Sequence, residues 1–221
     1  MLLLSQPRCL LKMNIFNRFT KAKKGVAAIE FALIAPLFCI LMMGVVEVSN
    51  FVYADIKAKN ATGTMVNLLN QQEQLTSPDI ELLTQIVPKI LSPIVLGATD
   101  YRVIITSMQQ DKPGQDPNNP GQLLENFPYV FWQEAYGEPS IISPKYTYIK
   151  GGDENANRIA KNAVEGFEFK DSDQIIYVEI GIKYNPLLTG GYAPQSLSVI
   201  KHAFFGRPRK GAYALRPDEL E

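Results

Sequence analysis

Cysteine and histidine are scarce in this chain. Its two cysteines are Cys9, in a basic N-terminal stretch, and Cys39, inside an apolar run. Neither can staple the remaining residues, so a fold there must rest on its core rather than on disulfides. The single histidine, His202, falls on a segment of strand-like alternation beside Ile200 and Phe204, where a lone histidine is structural far more often than catalytic. The sequence contains no P-loop, no G-x-S-x-G, no H-E-x-x-H and no Cys/His spacing suited to a metal. Asp171 and Asp173 stand two apart before a strand, which suits a solvated turn better than an acid/base pair. The loop DKPGQDPNNPGQ (111–122) carries Asp111, Asp116, Asn118 and Asn119, but their spacing matches no calcium loop, and its prolines and glycines account for it. The expectation is a protein that is not an enzyme, with no catalytic residues, no metal and no cofactor.

Acidic residues are absent from residues 1–25, which hold Arg8, Lys12, Arg18, Lys21, Lys23 and Lys24. The formal net charge of the whole chain is zero, so beyond residue 25 there are 16 basic against 22 acidic side chains, a net of −6. A nucleic-acid-binding domain would concentrate its basic residues on a folded face, so the distribution argues against one and no nucleic-acid partner is expected. The asymmetry instead obeys the positive-inside rule, with Lys21, Lys23 and Lys24 holding the N-terminus in the cytoplasm and the chain beyond Val46 exported.

What the chain does have is a long apolar run, Val26 to Val46, set directly after Gly25. As a helix its 21 residues reach about 30 Å, the thickness of a bilayer's hydrocarbon core. Glu30 is the exception within it. A carboxylate in a membrane-length segment costs on the order of 3 kcal/mol, so such a group usually has a partner and a function. Pro36 interrupts the run and is expected to bend the helix axis. Cys39, Met42 and Met43 read as lipid- or neighbour-facing side chains, and Glu47 as the outer interface.

A basic leader, a glycine, and an apolar helix with glutamate at its fifth position resemble a type IV prepilin processing site. The string GVAAIEFALIAPLF (25–38) resembles the TadE-like proteins, minor pseudopilins of the tight-adherence (Flp) pilus machinery. The resemblance is strong over about residues 17–60 and loose at YVEIGIKYNPLL (177–188). It implies cleavage by a prepilin peptidase after Gly25, a mature chain beginning at Val26, and Glu30 recognised and paired with a neighbouring subunit's α-amine, with Phe31 as a helix contact. The implied partners are other Tad minor pseudopilins, the major pilin, the inner-membrane assembly platform and the lipid bilayer. Met13 offers a second start, leaving the leader MNIFNRFTKAKKG. The alternatives are an uncleaved signal anchor, which needs neither Gly25 nor Glu30, and a Glu30 that snorkels to the headgroups. A secretory signal fits less well, because the run is too long and no A-x-A-like site follows.

The organisation expected is therefore a leader (1–25), a long helix (26–75) with its first half in the membrane, and an exported α+β head (76–221) on an antiparallel sheet, with a basic tail from about 207. Past Glu47, Phe51, Val52, Ile56, Ala61, Met65, Leu68 and Leu69 recur at helical spacing, and Gly63 marks a weak point. Ser77-Pro78-Asp79 opens a second helix that ends before Pro93. Strands are expected at 101–108, 128–135, 145–149, 175–184 and 197–205, and a short helix at 154–164. On the 175–184 strand, Ile176, Val178, Ile180, Ile182 and Tyr184 share one face, and Tyr177, Glu179 and Lys183 the other. Two rival functions remain: an envelope binding domain using the aromatic residues 129–132, and an anchored enzyme.

Overall fold

The computed structural model describes residues 25–72, 77–94, 97, 99–110, 127–160, 164–170, 173–186 and 198–208. Two compact units are distinguished, one ending at Ser49 and the other beginning at Asn50. One helix, α1 (Val26–Gln71), runs through both. It continues through Pro36 and Gly63, so neither residue ends it.

The first unit is the N-terminal part of α1. Its large side chains, among them Ile29, Leu33, Leu37, Phe38 and Leu41, are exposed around the whole circumference of the helix. A helix apolar on every side is a core helix or a membrane span. This stretch has nothing around it among the described residues, and it is the one described helix long and apolar enough to cross a membrane.

The second unit is an α+β head. Its four strands are β1 (Tyr101–Gln110), β2 (Tyr129–Gly137), β3 (Asp173–Lys183) and β4 (Val199–Gly206). They form one antiparallel sheet in the order β2-β1-β3-β4. The second half of α1 packs on one sheet face through Ala54, Ala58, Ala61, Met65 and Leu69, a stripe with helical spacing. Its three alanines let the helix backbone lie close to Val103, Ile105, Val178, Ile180 and Ile182. Helix α2 (Ser77–Leu91) adds Ile80, Val87 and Leu91 to the same core and runs on through Pro88. Near the far end of α1, Gly206 of β4 meets the helix directly: a Cβ there would lie 2.8 Å from Val66 Cγ1 and closer still to the Asn70 amide.

The other sheet face is also covered. Met108, Val130, Tyr146, Val164, Phe169, Ile175 and Tyr177 form a second core beneath residues 138–160 and 164–170. A bulge between Ser107 and Met108 makes this possible on β2, because it leaves Phe131 without a register partner. Trp132 consequently faces the helices while Val130 faces the loops. The aromatic residues at 129–132 are thus core and near-core side chains. The covering segment lies close, since a Cβ on Gly181 would come within 2.5 Å of Ile142 Cγ2.

Two expected elements are absent. Residues 145–149 form no strand, because their backbone groups bond to side chains instead of to a neighbouring strand. Lys145 N donates to Glu179 Oε2, Gln133 Nε2 donates to the Tyr146 carbonyl, and Ile149 N donates to Asn157 Oδ1. The short helix expected at 154–164 is a series of turns at 154–157 followed by a bridge from Arg158 to Tyr129, with 161–163 outside the described residues. Asn157 Nδ2 donates to the carbonyls of Ile149, Gly152 and Asp153, and Asp153 Oδ1 accepts from Ala156 N. Such side chains offer the backbone a local alternative to the helix.

Candidate processing and packing site

The residues singled out in the sequence gather at the start of α1. Gly25 directly precedes the helix, Val26 is its first residue, and Glu30 stands one turn further on, about 6 Å along the axis. Residues four apart share a helix face, so Val26 and Glu30 are stacked and Phe31 is turned away from them. Val26 is 53% exposed and Phe31 72%. Glu30 is exposed too, and forms no ion pair among the described residues. Lys21, Lys23 and Lys24 lie outside the described residues, as do the 111–122 loop, Asp171 and the tail beyond residue 208.

Among the described residues nothing requires glycine at position 25: a Cβ built there meets nothing within 4 Å, and no left-handed φ is seen there. By contrast Gly137, with φ of 91°, could not carry a side chain without striking the Tyr101 backbone. The chemistry available around Gly25 is that of a small, half-buried backbone step followed by an exposed carboxylate on an apolar helix. It offers a peptide bond to be cut and a charge to be paired.

Three side-chain contacts to carboxylates in the head were not anticipated from the sequence. His202 Nε2 lies 2.8 Å from Asp55 Oδ1, joining β4 to α1 and giving the lone histidine a structural role. Arg207 binds Asp173 at 2.9 Å and stacks on the Phe167 ring, so the first residue assigned to the tail is tied to the sheet. Glu179 is fully buried on β3, with Lys201 Nζ 2.9 Å from Oε1 and the Lys145 amide on Oε2. Its only sequence signal was a carboxylate inside the β-branched and aromatic run from Ile175 to Ile180. Beside it the Tyr177 phenol is pushed well above its ordinary pKa, first by burial and then by the Glu179 charge. Burial likewise raises Tyr146, which meets Tyr177 edge-on at 5.1 Å.

No curated protein and no solved structure matches this chain. Among the described residues α1 alone is long and apolar enough to cross a membrane, which suggests a single-pass anchor. The family model described as TadE-like protein matches residues 25–64, the stretch from the glycine to the middle of the stripe on which the head is built, and associates the chain broadly with the Tad pilus system and its components.

Proposed function

We propose that the protein is a minor pseudopilin of the Tad pilus, cleaved by a prepilin peptidase after Gly25 and built into the assembly through the helix that then begins at Val26. The observation that carries this reading is a glycine for which the described residues give no reason: Gly25 precedes the TadE-like helix at a place where a Cβ would meet nothing among them. A peptidase cleft that admits only a minimal side chain supplies the missing reason. The same logic applies to Glu30, an exposed carboxylate without an ion-pair partner among the described residues. In an assembled bundle the α-amine of a neighbour's Val26 would neutralise it. Pairing matters because an isolated charge in a low-dielectric setting is far costlier than a matched couple. Lys23 and Lys24 set topology and present the site, Phe31 contacts a neighbouring helix, and the head faces the periplasm.

The test is the mature N-terminus of protein taken from its native membrane, read by intact mass. The expected result is a chain starting at Val26, with Gly25→Ala retaining its leader and Glu30→Ala processed but failing to co-purify with other pilins. A wild-type chain that keeps Lys23 and Lys24 would overturn the proposal and leave an uncleaved anchor with an exported binding head.

A further inference from the structure

One end of the head carries a cavity that neither core uses. Four strand ends converge there: the Lys183 amide donates to the Asp100 carbonyl, the Glu138 amide to the Tyr101 carbonyl, and the Tyr184 amide to the Ser198 carbonyl. The cavity, about 600 Å³, is lined by Thr99, Glu138, Ser140, Ile141, Lys183 and Ser198. Its lining includes one cation and one anion that do not neutralise each other. Lys183 and Glu138 form no ion pair, and Lys183 pairs with no other carboxylate among the described residues. Among the described residues Glu138 Oε1 accepts the Ser140 amide alone, at 3.2 Å. Opposite charges lining one cavity without pairing, together with the hydroxyl residues Thr99, Ser140 and Ser198, suit a dipolar ligand rather than a simple anion or cation.

The place of the cavity says where such a ligand comes from. Tyr184, next to Lys183, packs edge-on against Phe51 at 5.4 Å. Phe51 follows Val46, the last residue of the apolar run, by five positions. Even a fully extended chain would put no more than about 18 Å between them. Connectivity alone therefore keeps Phe51, and the strand end packed on it, within a short length of chain from the apolar run.

We infer that the cavity binds the headgroup of a zwitterionic phospholipid of the phosphoethanolamine class, with its phosphate toward Lys183, Thr99 and Ser140 and its amine toward Glu138. The inference rests on the membrane-anchor reading. It does not rest on cleavage after Gly25.

The experiment uses the full chain in a non-ionic detergent, with native mass spectrometry of bound phosphatidylethanolamine, phosphatidylglycerol, O-phosphoethanolamine and inorganic phosphate. Saturable binding of one phosphatidylethanolamine is expected, weakened at least about fivefold by Lys183→Gln and by Glu138→Gln and restored by the charge swap Lys183→Glu with Glu138→Lys. Lys170→Gln, outside the cavity lining, should bind as wild type. Equal binding of phosphatidylglycerol, or indifference to Lys183→Gln, would overturn the site. Equal affinity for O-phosphoethanolamine would overturn the lipid as its source and assign the cavity to a free zwitterion. Vesicle flotation reads the anchor separately: a chain that fails to float overturns the anchor, while the O-phosphoethanolamine titration still reports on the cavity.

Discussion

The two halves of α1 are made of one continuous helix and obey different rules. From Val26 to Val48 it exposes fourteen of the twenty large apolar side chains that stand exposed among the described residues. From Ala54 to Leu69 it presents a buried stripe in which small residues are spaced to let a sheet approach. The second half is explained by what it touches in its own chain. The first half has no such explanation. An apolar side chain left in water forfeits about 25 cal/mol for each Å² it could have buried. The residues of the first half must therefore be chosen for lipid or for other helices, and the two halves should respond oppositely to the same substitution.

The largest test of that contrast sets Leu69→Ala against Leu37→Ala. Leu69 is 1% exposed in the helix-side core, and truncating a leucine there should lower the stability of the head by about 2–5 kcal/mol. Leu37 is 60% exposed, and its truncation should leave the head's denaturation midpoint unmoved. Trp132, the only tryptophan, is buried in that same core and reports unfolding by its fluorescence. A shift of similar size for both variants would mean that the first half is packed by the chain itself, and the comparison would break.

A second pair probes shape instead of volume lost. Ala58 is fully buried against the sheet, whereas Ala35 lies in the apolar half. Ala58→Leu should cost about 1–3 kcal/mol by overpacking. Ala35→Leu should leave the head unchanged in the same denaturation. A tolerated Ala58→Leu would show that the helix can lift off the sheet without loss, against the tight stripe described here.

The contrast also marks what the sequence could reveal. The apolar run, the change of pattern after Glu47 and the alternation on β3 are local signals, written in periods of 3.6 and 2, and the helices and four strands lie where those periods place them. Segment 145–149 has strand-like residues but no neighbour to pair with, because it crosses over the sheet face. The 154–157 turns were hidden because Asn157 acts through hydrogen bonds to residues four to eight positions away. The His202–Asp55 contact joins residues 147 apart, beyond any local pattern. At the candidate site the legible part was the motif; the spare glycine could be recognised as spare only once the space around it was known.

Two buried or membrane-length carboxylates extend the comparison at a smaller scale. Glu179 is held by its own fold, between the Lys201 ammonium and the Lys145 amide. Glu30 has no ion-pair partner among the described residues. Glu179→Gln keeps the shape but removes the charge facing Lys201, and should cost about 1–3 kcal/mol by leaving charge-assisted contacts weakened in a dry site. Glu30→Gln should not move the same denaturation curve, while still impairing association with other pilin helices. If Glu179→Gln proved neutral, the buried charge would contribute nothing to the head and the contact would be incidental.

The smallest effect expected belongs to Tyr177, packed on the loop-side core next to that carboxylate. Its phenol is raised in the fold, by burial first, by Glu179 second and by Tyr146 third. A tyrosine in the unfolded chain ionises near pH 10. Above that pH the unfolded state loses a proton that the folded state still keeps, so the unfolded state gains stability relative to the fold. The contribution is whole below about pH 10 and declines as pH rises toward the folded pKa. Tyr177→Phe removes this one source of alkaline loss, leaving those of Tyr136 and Tyr146, which shift in the same direction. Urea midpoints at about pH 8 and about pH 11 should therefore differ less in Tyr177→Phe than in the wild type. Parallel losses in the two proteins would mean that Tyr177 reaches water as the fold loosens, and that the loop-side core is the weaker of the head's two.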